Sequence, residues 1–125
     1  MIFLDTHVVI WLYEGAVDKF PPRTKLLLNT EELILAPIIR LELQFLYEIK
    51  RLQVKADQVL DDLTYELGVK TYREPMSFII HHAMDLSWTR DPFDRLIVAT
   101  AQAEQATLIT KNQHILENYR QAVWE

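Results

Sequence analysis

Cysteine is absent from this chain, which excludes disulfide scaffolds, cysteine-based zinc sites and thiol nucleophiles. Glycine is nearly so: Gly15 and Gly68 are the only two, and they stand far apart. A dinucleotide-binding fingerprint or a P-loop needs several glycines so that backbone amides can approach phosphate, and both are excluded. The two serines, Ser77 and Ser87, have no nucleophile-elbow context. No apolar run approaches the ~20 residues of a membrane span. Met1–Asp5 has no basic leader region. No repeat, low-complexity tract or linker interrupts the chain. These absences lead us to expect a cytoplasmic protein, prokaryotic in style, with no membrane partner.

What is present is ordinary globular material. The chain has 125 residues, half of them apolar and a quarter charged. That balance argues against disorder and the length suits one domain spanning residues 1–125. A chain of this size buries roughly two-thirds of the surface its unfolded form exposes.

Short apolar runs alternate with helical spacings. Ile2-Phe3-Leu4 predicts a buried strand, stopped by Asp5-Thr6, with a helix following to about Gly15. Pro21-Pro22 opens a second helix, and Leu33 to Ala36 is a second buried strand. Helical spacing runs from Ile38 to Leu52 and again over residues 55–67, where Gly68 is a C-cap signal. Val69 to Tyr72 predicts a strand, residues 76–86 a helix, and Asp91-Pro92 opens a long helix to about Gln105. Thr107 to Thr110 is a strand, Gln113 to Asn118 a short helix, and Ala122 to Trp124 a last strand. Strands this short and continuously apolar predict an α/β fold, with a parallel sheet covered on both faces.

Three acidic positions sit where a core does not want them. Asp5 lies at the carboxyl end of a buried strand, where open α/β sheets place ligands; it reads equally as a helix N-cap. Glu42 falls inside the stripe of Ile38, Leu41, Phe45, Leu46 and Ile49, in a direction between Ile49 and Leu46 at about 100° per residue. An ionised carboxylate among apolar side chains costs several kcal/mol unless compensated. A metal ion, a partner cation such as arginine, protonation, or escape of the carboxylate to water at the stripe's edge would each compensate it. Asp91-Pro92-Phe93-Asp94 reads as N-cap, N1 and N3 of a capping-box variant. Asp94 also shares a helix face with Ile97, Val98 and Ala101, which turns it toward the core side. Oxygen donors from three elements, without cysteine or a metal-binding histidine spacing, suit a hard cation, Mg²⁺ or Mn²⁺. Such ions act in phosphodiester hydrolysis.

At these residues the chain resembles the PIN-domain ribonucleases and, among them, the VapC-like toxins of type II toxin–antitoxin pairs. The matching segments are Phe3-Leu4-Asp5-Thr6-His7, Ala36-Pro37-Ile38-Ile39-Arg40-Leu41-Glu42 and Leu108-Ile109-Thr110. The most distinctive runs from Arg90-Asp91-Pro92-Phe93-Asp94-Arg95 to Ala99. The resemblance implies a three-layer α/β/α sandwich on a parallel sheet and a Mg²⁺- or Mn²⁺-dependent endoribonuclease. Asp5, Glu42 and Asp94 match the family's metal-binding acids, and Asp91 matches a further acid of the subgroup carrying this motif. A cognate antitoxin occupying the active-site groove and a homodimer are implied as well. In one place the chain departs from the pattern: where the family often has a fourth acid, this chain has Asn112. Asn112 offers a neutral oxygen to a metal or its water, or serves as an N-cap before Gln113.

The expected chemistry is in-line attack of an activated water on an RNA phosphodiester. Thr6 and Thr110 are hydroxyls placed to orient the carboxylates. Arg40, Arg90, Arg95 and Lys111, with Lys50 and Arg51, are candidate phosphate contacts in a chain whose net charge of −5 argues against strong non-specific binding of nucleic acid. His81-His82 point about 100° apart on a helix and do not chelate one ion easily. Trp11, Trp88 and Trp124 read as core or interface aromatics rather than stacking platforms. A haloacid-type phosphatase would need a second Asp at the position of His7 and is rejected. The stronger rival is a PIN-fold protein that has lost catalysis and only binds antitoxin or RNA, a reading that Asn112 supports and the intact Asp5, Glu42 and Asp94 oppose.

Overall fold

The computed structural model describes residues 1–125. Five strands form one parallel sheet: β1 (Ile2–Leu4), β2 (Leu33–Leu35), β3 (Lys70–Thr71), β4 (Thr107–Ile109) and β5 (Ala122–Val123). Their spatial order is β3-β2-β1-β4-β5. Seven helices accompany them: α1 (Thr6–Glu14), α2 (Pro22–Thr30), α3 (Ile38–Glu48), α4 (Ala56–Leu67), α5 (Met76–Ala83), α6 (Pro92–Ala103) and α7 (Gln113–Asn118). The result is an α/β/α sandwich, as the alternation of short apolar runs with helical spacing predicts. The three central strands are buried almost throughout, because a parallel sheet covered by helices has no wet face to offer polar side chains. No helix is long and apolar enough to cross a membrane.

Local chemistry sets the boundaries. Gly15 and Gly68 take left-handed conformations, φ 71° and 68°, and end α1 and α4; L side chains pay for that geometry and glycine does not. α3 stops at Glu48, short of the predicted Leu52, where Lys50 turns left-handed and the Arg51 and Leu52 amides both fold back onto the Leu46 carbonyl. α6 likewise stops at Ala103, before Gln105, whose φ is 50°. α5 ends at Ala83 rather than residue 86, and Val17–Lys19 forms a 3-10 turn that the sequence pattern does not announce.

The buried face of α3 is turned from the predicted stripe, of which only Leu46 and the partly buried Ile38 meet the core. Ile39, Leu43 and Leu46 enter the core, whereas Leu41, Phe45 and Ile49 are 59%, 45% and 44% exposed. Phe45 stacks on Phe93 at the start of α6, their ring centroids 6.0 Å apart. Glu42 therefore sits half-buried at the edge of the core face, not within an apolar stripe facing the core.

The strand order leaves one consequence for chemistry. From β1 the chain moves outward through β2 and β3, then returns to place β4 on the other side of β1. The carboxyl ends of β1 and β4 thus form the point where the winding reverses, the place where sheets of this kind open a crevice.

Candidate active site

Asp5 follows β1 at that reversal and Thr110 follows β4. The Asp5 amide donates to the Ile109 carbonyl at 2.9 Å, and the Thr110 hydroxyl donates to Asp5 Oδ2 at 2.5 Å. Asp5 Oδ1 accepts from the Thr6 amide at 2.8 Å, so Asp5 also caps α1. The two readings of this acid coexist. Burial of Asp5 pushes its carboxyl above the usual range, against the lowering effect of the Thr110 and Thr6 hydrogen bonds.

Glu42 comes to the same place from α3. Its Oε1 accepts from the Thr6 hydroxyl at 2.5 Å, while no arginine or lysine pairs with it. Desolvation pushes Glu42 up to about 7, with the negative charges of Asp5, Asp94 and Asp91 adding to the effect and Thr6 opposing it. Asp94, in the first turn of α6, is pushed up to about 6 by burial and by the charges of Asp5 and Asp91. Asp91 accepts from the Asp94 amide at 3.1 Å and caps α6. The reciprocal half of the predicted capping box does not form. The Asp91 amide donates to Thr89 Oγ1, leaving the Asp94 carboxylate free to meet Asn112.

Asn112 has both of its amide groups in use. Its oxygen accepts from the Ile115 amide and caps α7, and its NH₂ donates to Asp94 Oδ2 at 3.3 Å. It contributes a donor to the site in the position where the family pattern often has an acid.

Asp5, Glu42, Asp91, Asp94 and Asn112 line one cavity of 470 Å³, together with His7, Trp11 and Lys111. His7 and Trp11 were not among the sequence-derived site residues. The signal available was their spacing of four on α1 directly after Asp5, which puts both on one helix face. Of the candidate phosphate contacts, only Lys111 lines the cavity. Arg40 is bound in a two-pronged pair with Asp57, at 2.7 and 3.0 Å. The Arg95 guanidinium donates to the carbonyls of Ala83, Met84 and Thr89, closing the end of α5. Arg90 is exposed. His81 and His82 lie on α5 and do not line the cavity.

Asp5, Glu42 and Asp94, each pushed up by burial and by neighbouring negative charge, stand with Asp91 around one cavity without an ion pair among them, an oxygen-donor set suited to a divalent cation. No three of them converge into a finished coordination group as they stand. By donor chemistry and charge the residues fit a hard cation.

A family model described as PIN domain matches residues 2–121. Among solved structures, the chain is similar to the VapBC2 complex of Rickettsia felis bound to a fragment of its promoter DNA. That match has 22% identity and a TM-score of 0.67, and covers 100% of both chains. It is also similar to a toxin–antitoxin complex from Klebsiella pneumoniae, at 18% identity and a TM-score of 0.65, covering 98% of this chain and 96% of that one. A third likeness is to VapBC-1 of nontypeable Haemophilus influenzae, at 20% identity and a TM-score of 0.60, covering 100% and 97%. No curated protein matches the sequence.

Proposed function

The chain belongs to the PIN domain family, and on that basis we propose that it is a divalent-metal-dependent endoribonuclease, the toxin of a toxin–antitoxin pair. The observation that carries the reading is the gathering of Asp5, Glu42, Asp91 and Asp94 around one cavity at the sheet's reversal point, with no cation paired to them.

Asp5, Glu42 and Asp94 would hold Mg²⁺ or Mn²⁺, with Asp91 beside them. Such an ion supplies Lewis acidity, acidifying water and offsetting charge that develops on the phosphate oxygens. The protein's own part is to fix the acids. Thr6 holds Asp5 through its amide and Glu42 through its hydroxyl, so one residue sets the relation between two carboxylates. Thr110 holds the second oxygen of Asp5, and Asn112 holds Asp94. Asp91 fixes the first turn of α6 and with it the position of Asp94. Lys111 is the cation placed to meet phosphate, and Arg90 is a second, exposed one.

A cognate antitoxin is the proposed protein partner. The matched structure from Klebsiella pneumoniae is a toxin–antitoxin complex by name, those from Rickettsia felis and Haemophilus influenzae are named VapBC2 and VapBC-1, and this chain covers the matched chain of each nearly end to end. A homodimer is proposed as well, supported by the exposed apolar strip of Leu41, Phe45 and Ile49 on α3, continued by Phe93. An exposed apolar strip of this kind suits a two-fold interface, in which it would pack on its own copy. The cytoplasm is the compartment this reading implies.

The test is cleavage of a panel of structured and unstructured RNAs with Mg²⁺, with Mn²⁺ and with EDTA, alongside Asp5→Asn and Glu42→Gln purified identically. Metal-dependent cutting lost in both variants establishes the nuclease. Equal cutting by the variants refutes this site. The second reading, a protein that binds antitoxin or RNA without cleaving, rests on Asn112, which brings a donor and no charge. It predicts RNA retention with no cutting by any form.

A further inference from the structure

We propose that His7, Trp11 and Lys111 form a nucleotide seat on one wall of the acid cavity, in which Trp11 and His7 pack against a nucleobase and Lys111 takes the adjoining phosphate. The inference deepens the nuclease reading and rests on it for the nature of the substrate.

The seat is built from two elements. His7 and Trp11 rise from one face of α1 immediately after Asp5, and Lys111 follows Thr110 beyond β4. Trp11 is half-buried and is backed by Phe20 and Trp124, with ring centroids 6.4 and 5.7 Å away. That backing fixes the indole before anything binds, so little side-chain freedom remains to be lost when a flat ligand packs on it. The exposed His7 ring lies 6.1 Å from Trp11 at a 49° tilt, extending the aromatic surface outward. Aromatic surface of this kind accepts any base, because every base has a π-face.

Charge divides the cavity. The acids would repel a phosphodiester, and Lys111 is the one lysine or arginine lining the cavity with them. Its ammonium stands 5.9 Å from the Trp11 ring centroid and forms no ion pair, and that of Lys19 stands 5.3 Å from the same ring, also unpaired. Positive charge therefore stands beside the aromatic pair in a cavity otherwise lined by carboxylates and Asn112. A nucleotide entering this cavity meets attraction for its phosphate and a surface for its base on the same side. That polarity would hold one nucleotide beside the acids and fix which bond of an RNA strand reaches them.

The test reads binding directly. In ¹⁵N-labelled protein, the indole N–H signals of Trp11, Trp88 and Trp124 are assigned by single Trp→Phe variants. AMP, CMP, GMP, UMP and ribose 5-phosphate are then each titrated in the presence of Mg²⁺. The nucleotides are expected to shift the Trp11 indole and the His7 ring while Trp88 stays in place. Ribose 5-phosphate is expected to shift the Asn112 amide but not the Trp11 indole. Lys111→Gln should weaken nucleotide binding by roughly tenfold, the worth of about 1.4 kcal/mol. His7→Ala, at an exposed position where folding is not in question, should weaken nucleotides and leave ribose 5-phosphate unchanged. A Trp11 indole that stays in place up to the solubility of the nucleotides, or that moves equally with ribose 5-phosphate, overturns the seat. A chain that seats nucleotides in this way but cuts no RNA refutes the nuclease reading alone. One that cuts RNA with Trp11 unmoved refutes the seat alone.

Discussion

Asn112 meets Asp94 as a hydrogen-bond donor: its NH₂ lies 3.3 Å from Asp94 Oδ2 while its own oxygen is occupied in capping α7. The residue that departs from the family's acidic pattern thus stabilises the ionised form of a neighbouring acid.

Asn112→Asp should keep the α7 cap, since the two residues cap about equally well. It should also remove the donor and add a charge. Binding of Mn²⁺, followed by calorimetry, is expected to tighten severalfold, and the metal-free protein to melt at a lower temperature at pH 8. Unchanged Mn²⁺ affinity would mean that this position takes no part in the site.

Thr6→Val keeps the shape of a buried side chain and deletes the hydroxyl that Glu42 accepts from. Loss of that bond should destabilise the fold by about 1 kcal/mol and move the Glu42 carboxyl further upward from about 7. The measurement is the carboxyl ¹³C shift of Glu42 against pH. A curve unmoved by the substitution would remove Thr6 from the site.

Metal-free protein should lose stability as pH rises. Glu42 and Asp94 titrate near 7 and 6 in the folded chain, above their ordinary values, so between about pH 4 and 8 the folded state holds more protons than the unfolded one. Their contribution is complete below the unfolded values and is lost as pH climbs through the folded ones. Denaturant unfolding in EDTA should therefore give lower stability at pH 8 than at pH 5. Glu42→Gln should flatten that slope and raise stability at pH 8 by roughly 1–2 kcal/mol, allowing for solvent screening of a half-buried group. A slope identical in the variant contradicts the assignment.

Phe45→Glu places a charge in the middle of the exposed α3 strip. Light scattering on a sizing column should give a dimer for the wild-type chain and a monomer for this variant, with unchanged circular dichroism. A monomeric wild type that needs Phe45 only for capture of its antitoxin would assign the strip to that partner instead.

Much of this fold is legible in the sequence because its strands are short apolar runs bounded by Asp, Pro or Gly. Ile2–Leu4 and Leu33–Leu35 could be little else. The face of α3 is not legible, because residues 38–49 are apolar on more than one side. Periodicity picks out the stripe of Ile38, Leu41, Phe45, Leu46 and Ile49 and does not show that Ile39 and Leu43, beside Leu46, are the residues that enter the core. The acids are legible as anomalies of placement, and the half-buried Asp94 on the face of Ile97, Val98 and Ala101 is where its spacing puts it. What Arg95 does is not legible: its three acceptors are backbone carbonyls up to 12 residues away, and a carbonyl leaves no mark in a sequence. The place of His7 and Trp11 beside Lys111 depends on β4 lying next to β1, a pairing that spans most of the chain.

The same pairing ties the acid cluster to the integrity of the whole molecule. Asp5, Glu42 and Asp94 are distant in sequence and meet only when β1 is zipped to β4 and α3 and α6 are seated. No hairpin or single helix holds two of them together, so no isolated local segment carries the site. Under the proposed function, whatever separates β1 from β4 or unseats α3 or α6 would dismantle the nuclease site as a unit. The Asp5 amide, bonded across to Ile109, becomes the natural reporter of that pairing, and its hydrogen exchange would count the molecules in which the three acids meet.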